Sequence, residues 1–218
     1  MALAIFDLDN TLLAGDSDYL WGQFLVARGL VDGALYAREN ERFYRDYREG
    51  TLDIHAFLRF ALRPLKEHPR ALMEALREEF LRACIAPIML PAARALIESH
   101  RAAGDTLLII TATNAFVTAP IAAAFGVPNL IATEPERRGA HYTGEVAGIP
   151  AFREGKVRRL EDWLAARGAG LAGSRFYSDS HNDLPLLLRV EGPVAVDPDP
   201  RLRAEAESRG WPVISLRG

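Results

Sequence analysis

The chain has 218 residues, 49% of them hydrophobic and 25% charged, which is typical of a globular protein with room for a core domain and a smaller one. The net charge of −3 and the lack of a basic tract argue against nucleic acid as a partner, and the single Cys84 excludes an internal disulfide and a cysteine-based zinc site. No apolar run reaches the roughly 20 residues of a membrane helix and no signal peptide is recognisable, so we expect a cytoplasmic protein without a membrane partner.

The first predicted element is a strand at Ala2–Phe6, because this run is continuously apolar, as in a buried parallel strand. Asp7 and Asp9 follow it one residue apart, and Asn10 and Thr11 come next. Ligands of open α/β sheets bind at the carboxyl ends of strands. Close carboxylates repel, so a site that keeps both needs a cation, a shared proton or a reaction. Taken alone, the stretch could also be a helix-capping turn.

From Asp16 to about Ala86 the strand-like runs stop, and helix-period segments follow one another. The predicted helices are one that begins at Asp16 or Ser17, a second over about Val31–Arg48, a third over about Asp53–Leu62 that Pro64 ends, and a fourth that begins near Pro69 with Leu72, Leu76 and Phe80 in one stripe. Residues 16–86 therefore predict a small all-helical domain.

After Pro87 strands and helices alternate, which predicts an α/β fold with a doubly wound, mainly parallel sheet. The predicted strands are Thr106–Ile110, Asn129–Thr133, Arg175–Ser178, Pro193–Val196 and Val213–Ser215, with a hairpin over about Arg137–Ala147. The predicted helices are Ala92–Ala103, Ala115–Phe125, Lys156–Arg167, Asp183–Arg189 and Pro200–Arg209.

Two further polar residues lie at the ends of predicted elements, namely Thr111 after a strand and Lys156 at the start of a helix. Thr111 follows a buried strand, and its hydroxyl and the next backbone N–H groups could hold a phosphate oxygen, although Thr113 or Asn114 could equally cap a helix. Lys156 lies in the first turn of a predicted helix, where a cation is unfavourable unless an anion is near; otherwise it is a solvated lysine.

An aromatic strand then ends in Asp179, and Asp183 follows four residues later. Hard oxygen ligands at a strand end suit Mg²⁺, which prefers octahedral oxygen coordination and keeps several waters.

Together these segments resemble, in order, the four motifs of the haloacid dehalogenase (HAD) superfamily of phosphohydrolases. The motif residues are Asp7, Asp9 and Thr11 in the first, Thr111 in the second, Lys156 in the third, and Asp179 and Asp183 in the fourth. The resemblance covers nearly the whole chain and is closest to subfamily IB, which includes phosphoserine phosphatases and HAD-type histidinol-phosphate phosphatases. It implies a Rossmann-like core of residues 1–15 and 87–218 with a helical cap of residues 16–86. Asp197 departs from it, since many relatives carry Asn there.

The resemblance implies an Mg²⁺-dependent phosphomonoester hydrolase that acts on a small metabolite through an aspartyl-phosphate. Asp7 would be the nucleophile, and Asp9 the general acid and then the base. The carboxylates of Asp7 and Asp179 and the backbone carbonyl of Asp9 would bind Mg²⁺, while Asp183 would hold a metal-bound water or the lysine.

Phosphate binding would fall to Thr111, Ala112 and Lys156, of which the hydroxyl and the ammonium would neutralise the transferring phosphoryl group. The candidate substrate-binding residues are Asp16, Arg45 and Asn182. Asp16 occupies the place of an acid that holds the substrate amine in phosphoserine phosphatases, and Asp18 is a second candidate for that role. Either could instead be a plain N-cap, which is the interpretation we favour for Asp18. An acid at Asp16 favours a substrate with an ammonium group, which leaves histidinol phosphate and phosphoserine both open. Histidinol phosphate is slightly ahead on overall resemblance.

Three other interpretations are open. A phosphotransferase or phosphomutase would use the same Asp7 with a sugar hydroxyl in place of water, although Asn10 and Thr11 look more like the phosphatases. A receiver-type signalling domain also phosphorylates an aspartate but lacks a helical insertion of this size. A binding protein on an inactive core is disfavoured by the intact acids, Thr111 and Lys156. Nothing in the pattern specifies an oligomeric state.

Overall fold

The computed structural model describes residues 2–217, and within them seven strands form one sheet. The strands are β1 (Leu3–Phe6), β2 (Thr106–Asn114), β3 (Asn129–Arg138), β4 (His141–Ala147), β5 (Arg175–Ser178), β6 (Gly192–Val196) and β7 (Val213–Ile214). Their order is β4-β3-β2-β1-β5-β6-β7, and each neighbouring pair is parallel except the antiparallel β3 and β4. The predicted doubly wound, mainly parallel α/β fold is confirmed.

Four helices lie within residues 16–86, as the sequence predicted. They are α1 (Ser17–Ala27), α2 (Gly33–Glu49), α3 (Ile54–Glu67) and α4 (Arg70–Phe80), followed by a π-helical turn (Leu81–Ile85) and a 3₁₀ turn (Ala86–Ile88). The later helices are α5 (Pro91–Ala102), α6 (Ala115–Ala124), α7 (Glu154–Ala165), a 3₁₀ turn (His181–Asp183), α8 (Leu184–Leu187) and α9 (Pro200–Arg209). No helix in residues 2–217 is long and apolar enough to cross a membrane.

Apolar clusters cover both faces of the sheet, because successive residues of a strand point to opposite sides. Phe6 and Leu107 belong to one cluster, and Ile5 and Leu108 to the other. The first cluster also contains Trp21 of α1, so the inserted helices pack against the same apolar layer as the sheet. The domain limits at residues 15/16 and 86/87 stay a prediction.

Two expectations about the inserted helices are wrong. Pro64 does not end α3, which continues to Glu67. Proline removes one backbone hydrogen bond, but Leu62 and Leu65 on either side of it are buried in the large apolar cluster, and this burial offsets that loss. On α4 the predicted stripe holds for Phe80, which is buried, and for Leu76, which packs against the large apolar cluster, but Leu72 is 40% exposed and Met73 is buried in its place.

Candidate active site

The carboxyl ends of three neighbouring strands bring the predicted acids together. β1 pairs with β2 on one side and with β5 on the other, and the chain leaves β1 in one direction and later returns to the opposite side. Such a reversal opens a crevice at the strand ends. Asp7 follows β1, and its N–H donates to the carbonyl of Tyr177 on β5 at 2.9 Å. Thr111 lies on β2, and Asp179 follows β5 directly.

Lys156 lies in the first turn of α7, is only 3% exposed, and points at two acids. Its Nζ lies 2.7 Å from Oδ1 of Asp7 and 2.7 Å from Oδ1 of Asp183. Burial disfavours the ammonium, but the charges of Asp183 and Asp7 outweigh burial and raise the pKa of Lys156, so the side chain stays cationic. These two anions explain why a lysine is stable beside the positive end of a helix.

The backbone before Lys156 is fixed by a close approach. A Cβ on Gly155 would lie 2.0 Å from the carbonyl oxygen of Pro150, so only glycine fits there. Arg153 begins the turn with a φ of 50°, in the region that side chains seldom occupy. The lysine is therefore positioned by a tight loop rather than by its own side-chain contacts alone.

Asp9 contacts different partners from Asp7. Its Oδ1 accepts from the backbone N–H of Ser17 at 2.6 Å, and its Oδ2 accepts from the hydroxyl of Thr113 at 2.8 Å. Burial, and next the charge of Asp16, raise the pKa of Asp9 to about 7. A carboxyl with a pKa near neutrality can both donate and accept a proton, which is what general acid–base chemistry requires.

The pKa of Asp7 is also raised to about 7, mainly by burial; the ammonium of Lys156 opposes this shift, and the charge of Asp183 adds to it. Burial raises the pKa of Asp179 well above its usual range, with further contributions from the charges of Asp7 and Asp183. The hydroxyl of Thr11 contacts both nearby acids, at 3.1 Å from Oδ1 of Asp179 and 3.5 Å from Oδ2 of Asp7. The acids thus carry more negative charge than Lys156 offsets.

This donor set fits a hard divalent cation that keeps part of its water. Within residues 2–217 no group of three or more His, Cys, Asp or Glu side chains is arranged to hold a metal ion by itself, so waters and a backbone carbonyl would have to complete the coordination. Asp7 and Asp179 supply carboxylates at neighbouring strand ends, and Mg²⁺ is bound in just this way, by one or two carboxylates together with waters. Burial, together with the charge of Asp183, raises the pKa values of both acids, and a cation bound between them would offset that effect.

A partly enclosed cavity opens above Asp7 and Lys156. Its floor also includes Asp9, Thr111 and Ala112. Its walls come largely from α1, α2 and α3 and carry the acids Asp16 and Asp18, Asn40, and a set of aromatic rings, namely Tyr19, Phe43, Tyr44, Tyr47, Phe57 and Phe152. The arrangement joins a polar floor suited to phosphate with a mixed acidic and aromatic wall.

Asp16, rather than Asp18, caps the first of the inserted helices. Asp16 is the N-cap of α1, and its Oδ1 accepts from the N–H groups of Asp18 at 3.0 Å and Tyr19 at 2.9 Å. The expectation that Asp18 is the N-cap is wrong, because Asp18 already lies inside the helix. Of the two candidate caps of α6, Asn114 is the one used, because its Oδ1 accepts from the N–H of Val117 at 3.3 Å. The hydroxyl of Thr113 is therefore free to donate to Asp9.

Arg45 and Asn182, both predicted to bind substrate, do not line this cavity. Arg45 is exposed on a separate open cleft. Asn182 is buried, and its Nδ2 donates to the carbonyl of Tyr47 at 3.0 Å while its Oδ1 accepts from Arg153 at 2.9 Å. It thereby ties α2 to the loop that carries the acids.

Sequence reasoning missed the contacts that orient the acids. Thr113 could have been recognised, since it lies two residues after Thr111 and alternate strand residues share a face. The Ser17 N–H that binds Asp9 and the unpartnered Oδ2 of Asp18 had no sequence signal, because both depend on how α1 leaves the turn after β1.

The family model for haloacid dehalogenase-like hydrolases matches residues 4–188, and the chain therefore belongs to this family. Over 219 residues it is 48% identical to the histidinol-phosphatase of Neisseria meningitidis serogroup C (strain 8013), covering 99% of both proteins. It is 34% identical to a phosphoserine phosphatase of Mycobacterium tuberculosis (strain ATCC 25618 / H37Rv), covering 99% of this chain and 71% of that protein.

A solved structure of similar fold is a protein with unknown function from Bordetella pertussis Tohama I. It is 48% identical, with a TM-score of 0.93, and the match covers 99% of this chain and 98% of that one. The family and the named relatives confirm the prediction that the chain is an enzyme of the phosphatase type.

Proposed function

We propose that this protein is an Mg²⁺-dependent phosphomonoester hydrolase that forms an aspartyl-phosphate on Asp7, and that its substrate is histidinol phosphate. The observation that carries the proposal is the buried contact of Lys156 with Oδ1 of Asp7 at the carboxyl end of β1. One carboxylate oxygen is held by the ammonium, so the other can face the phosphorus.

In the first step Oδ2 of Asp7 forms a bond to phosphorus while the bond from phosphorus to the alcohol oxygen breaks. Lys156 donates to the phosphoryl oxygens as charge builds on them. The hydroxyl oxygen of Thr111 accepts from the N–H of Thr113 at 3.2 Å, so its own hydrogen is free to donate to phosphate. The backbone N–H of Ala112 adds a further donor at the same strand end.

Asp9 gives its proton to the departing alkoxide and afterwards takes one from the water that attacks the phosphoenzyme. The Thr113 hydroxyl can rotate, so it can donate to the carboxylate and accept from the carboxylic acid. The Ser17 N–H holds the other oxygen in both states. Asp9 thus keeps its position while its charge changes.

Mg²⁺ held by the carboxylates of Asp7 and Asp179 and the carbonyl of Asp9 would reduce the repulsion between an anionic phosphate and an anionic nucleophile. Asp183 accepts from Lys156 and from the hydroxyl of Ser178 at 2.7 Å, and it thereby fixes the lysine rather than touching phosphate.

The wall of the cavity favours histidinol phosphate over phosphoserine. Lys156 is the only cationic side chain that lines the cavity among the described residues, and it is committed to Asp7 and Asp183. The carboxylate of phosphoserine would therefore meet Asp16 and Asp18 without a positive partner. Histidinol phosphate has nitrogen cations and an imidazole ring but no carboxylate, and the relative named for that substrate is more similar and matched over its full length.

We propose further that residues 16–86 act as the cap, since α1, α2 and α3 supply most of the wall. A cap joined by two linkers can open for substrate and close over it.

The test is Mg²⁺-dependent phosphate release from histidinol phosphate, phosphoserine and sugar phosphates, with the Asp7→Asn variant alongside. We expect selective release from histidinol phosphate and a loss of at least about a thousandfold in the variant, whose fold should survive because the amide keeps the shape of the carboxyl. Phosphoenzyme should form on Asp7 alone. Full activity of Asp7→Asn contradicts the assignment, and transfer to a sugar hydroxyl without phosphate release would show a mutase.

A further inference from the structure

Asp18 is a buried acid whose charge nothing nearby offsets. It lies in the first turn of α1, is 9% exposed, and lines the cavity. Its Oδ1 has one long contact, to Nδ2 of Asn114 at 3.5 Å. Its Oδ2 is buried and has no hydrogen-bond partner anywhere in residues 2–217. A buried carboxylate in this state is costly, so its presence calls for a ligand group.

The carboxylate of Asp16, two residues earlier, has the hydrogen-bond partners that Oδ2 of Asp18 lacks. Asp16 accepts two backbone N–H groups as the N-cap of α1, so the helix terminus offsets its charge. Asp18 belongs to the same first turn, yet no N–H of the described chain reaches its Oδ2. Burial, with added repulsion from Asp16 and Asp9, raises the pKa of Asp18 well above its usual range.

We infer that Asp18 is the specificity residue that accepts a hydrogen bond from a cationic nitrogen of the leaving alcohol, while Asp16 serves the helix; this inference rests on the proposed function. A nitrogen cation is the group that a buried, unpartnered carboxylate binds most strongly. Asn40 lies on the same wall, and because its Nδ2 donates to the carbonyl of Tyr19 at 3.3 Å, its Oδ1 is a second acceptor. The ring of Tyr19 adds an aromatic face for the same cation.

The inference predicts opposite effects on stability and on selectivity. Asp18→Asn removes the unmatched charge and keeps the shape, so the ligand-free variant should melt at a higher temperature than the wild type. The same change should lower the ratio of kcat/KM for histidinol phosphate to that for 4-nitrophenyl phosphate, which has no cation, by at least about tenfold, chiefly through KM. A purely structural acid would lower the melting temperature when replaced.

Matched variants isolate the effect. Asp32→Asn makes the same chemical change at the exposed N-cap of α2, outside the cavity, and because Asn also caps helices, its selectivity ratio should stay within about threefold of the wild type. Glu74→Gln alters an exposed acid on α4 and should change neither readout. Phosphoethanolamine, which has only an ammonium, and an imidazolyl-alkyl phosphate, which has only the ring, show which nitrogen Asp18 binds: the ester that loses more is the one recognised.

Binding of histidinol, which carries both nitrogens but no phosphate, is measured by calorimetry on the wild type and on Asp18→Asn. Loss of that binding in Asp18→Asn supports the inference even if no ester is hydrolysed, an outcome that would overturn only the proposed function. An unchanged selectivity ratio in Asp18→Asn, or equal losses on the charged and uncharged esters, overturns the inference. Equal binding of histidinol by both proteins overturns it as well.

Discussion

The acids of the site differ from one another in what their carboxylates contact. Asp7 faces an ammonium, Asp9 faces a hydroxyl and a backbone N–H, and Asp179 faces the hydroxyl of Thr11. Carboxyl groups in one site take different chemical roles when their surroundings differ in this way. The ammonium of Lys156 opposes the rise that burial causes in the pKa of Asp7 and so favours its anionic form, whereas burial and the charge of Asp16 raise the pKa of Asp9 and keep a proton available near neutral pH.

Deprotonation of Asp9 should make kcat/KM fall at high pH, which gives the pH profile a basic limb, and the charge of Asp16 should set the pH at which this fall occurs. The pKa of Asp9 is raised to about 7, so the protonated acid disappears as the pH rises through that value. We expect kcat/KM for an alkyl phosphate to fall above about pH 7. Since the charge of Asp16 raises that pKa, Asp16→Asn should move the limb to lower pH.

The measurement is kcat/KM against pH for a simple alkyl phosphate, with 4-nitrophenyl phosphate as the control. The nitrophenolate leaves without help from an acid, so its profile should lack the limb or show it weakly. A limb of the same size for both esters, or one that Asp16→Asn does not move, would assign it to another group.

Among the elements, α2 connects the cavity wall to the acidic loops. The carbonyls of its C-terminal end accept from Asn182, Arg153 and Arg201, each on a different segment of the core. Cationic groups are favourable at the carboxyl end of a helix, so this end of α2 is well anchored. The same helix carries Tyr47, whose hydroxyl donates to Ser180 at 3.1 Å beside Asp179. Its placement therefore fixes the wall relative to the acids.

The start of α7 should tolerate no side chain at Gly155. Gly155→Ala would bring a Cβ to 2.0 Å from the backbone oxygen of Pro150, and only a shift of the loop or helix can relieve that contact. We expect a loss of about 1–3 kcal/mol in the free energy of unfolding. The shift moves Lys156 away from Asp7, so kcat should also fall by at least about tenfold.

Gly170→Ala is the matched control, because a Cβ at this position meets no atom within 4 Å. The free energy of unfolding from urea titration and kcat from phosphate release are measured on both variants, and only Gly155→Ala should lose in both. If Gly155→Ala keeps wild-type stability and turnover, the close approach does not position the lysine.

Much of the site followed from the sequence because strand ends in a parallel sheet converge. Asp7, Thr111 and Asp179 each come at or after a recognisable apolar strand, and the structure places them at one edge of the sheet. Features that depend on packing between helices did not follow. Pro64 inside α3 and the exposed Leu72 on α4 reflect which neighbours each helix meets, and local periodicity carries no information about those neighbours.

Asp197 illustrates the same limit for a single residue. The sequence marked it as a departure from the family but offered no reason for an acid. In the structure its φ is 42°, and its Oδ2 accepts from the N–H of Leu216 at 3.0 Å. Asp and Asn are the side chains that tolerate this backbone region and can bond the backbone nearby, so either residue fits the position.

At the scale of the whole molecule, the sheet and the helices inserted between residues 16 and 86 have different roles. The sheet order reverses at β1, which brings the acids of β1 and β5 and the hydroxyl of β2 to one crevice. The chain between β1 and β2 then forms the helices that wall the cavity above. Chemistry on phosphate thus depends on the sheet, and the choice of alcohol depends on the insertion. This separation places selectivity variants such as Asp18→Asn away from the reacting atoms.

The crowded acids should also make the stability of the metal-free protein depend on pH. The pKa values of Asp7 and Asp9 are raised from 3.8 to about 7, and those of Asp16, Asp18 and Asp179 are raised too. The folded state therefore binds more protons than the unfolded state between about pH 4 and 7, so the free energy of unfolding should fall as the pH rises through that window.

Mg²⁺ should reverse this loss, because a ligand that binds only the folded state stabilises it by mass action. We expect the melting temperature without Mg²⁺ to decrease from pH 5 to pH 7.5, and millimolar Mg²⁺ to raise it most at the upper end, where the carboxylates are ionised. Asp179→Asn should respond less to Mg²⁺, since it removes one of the two carboxylates proposed to bind the ion. Calorimetric melting across this range checks both effects. A melting temperature that rises with pH in the absence of Mg²⁺ would mean that the acids are already offset within the protein itself.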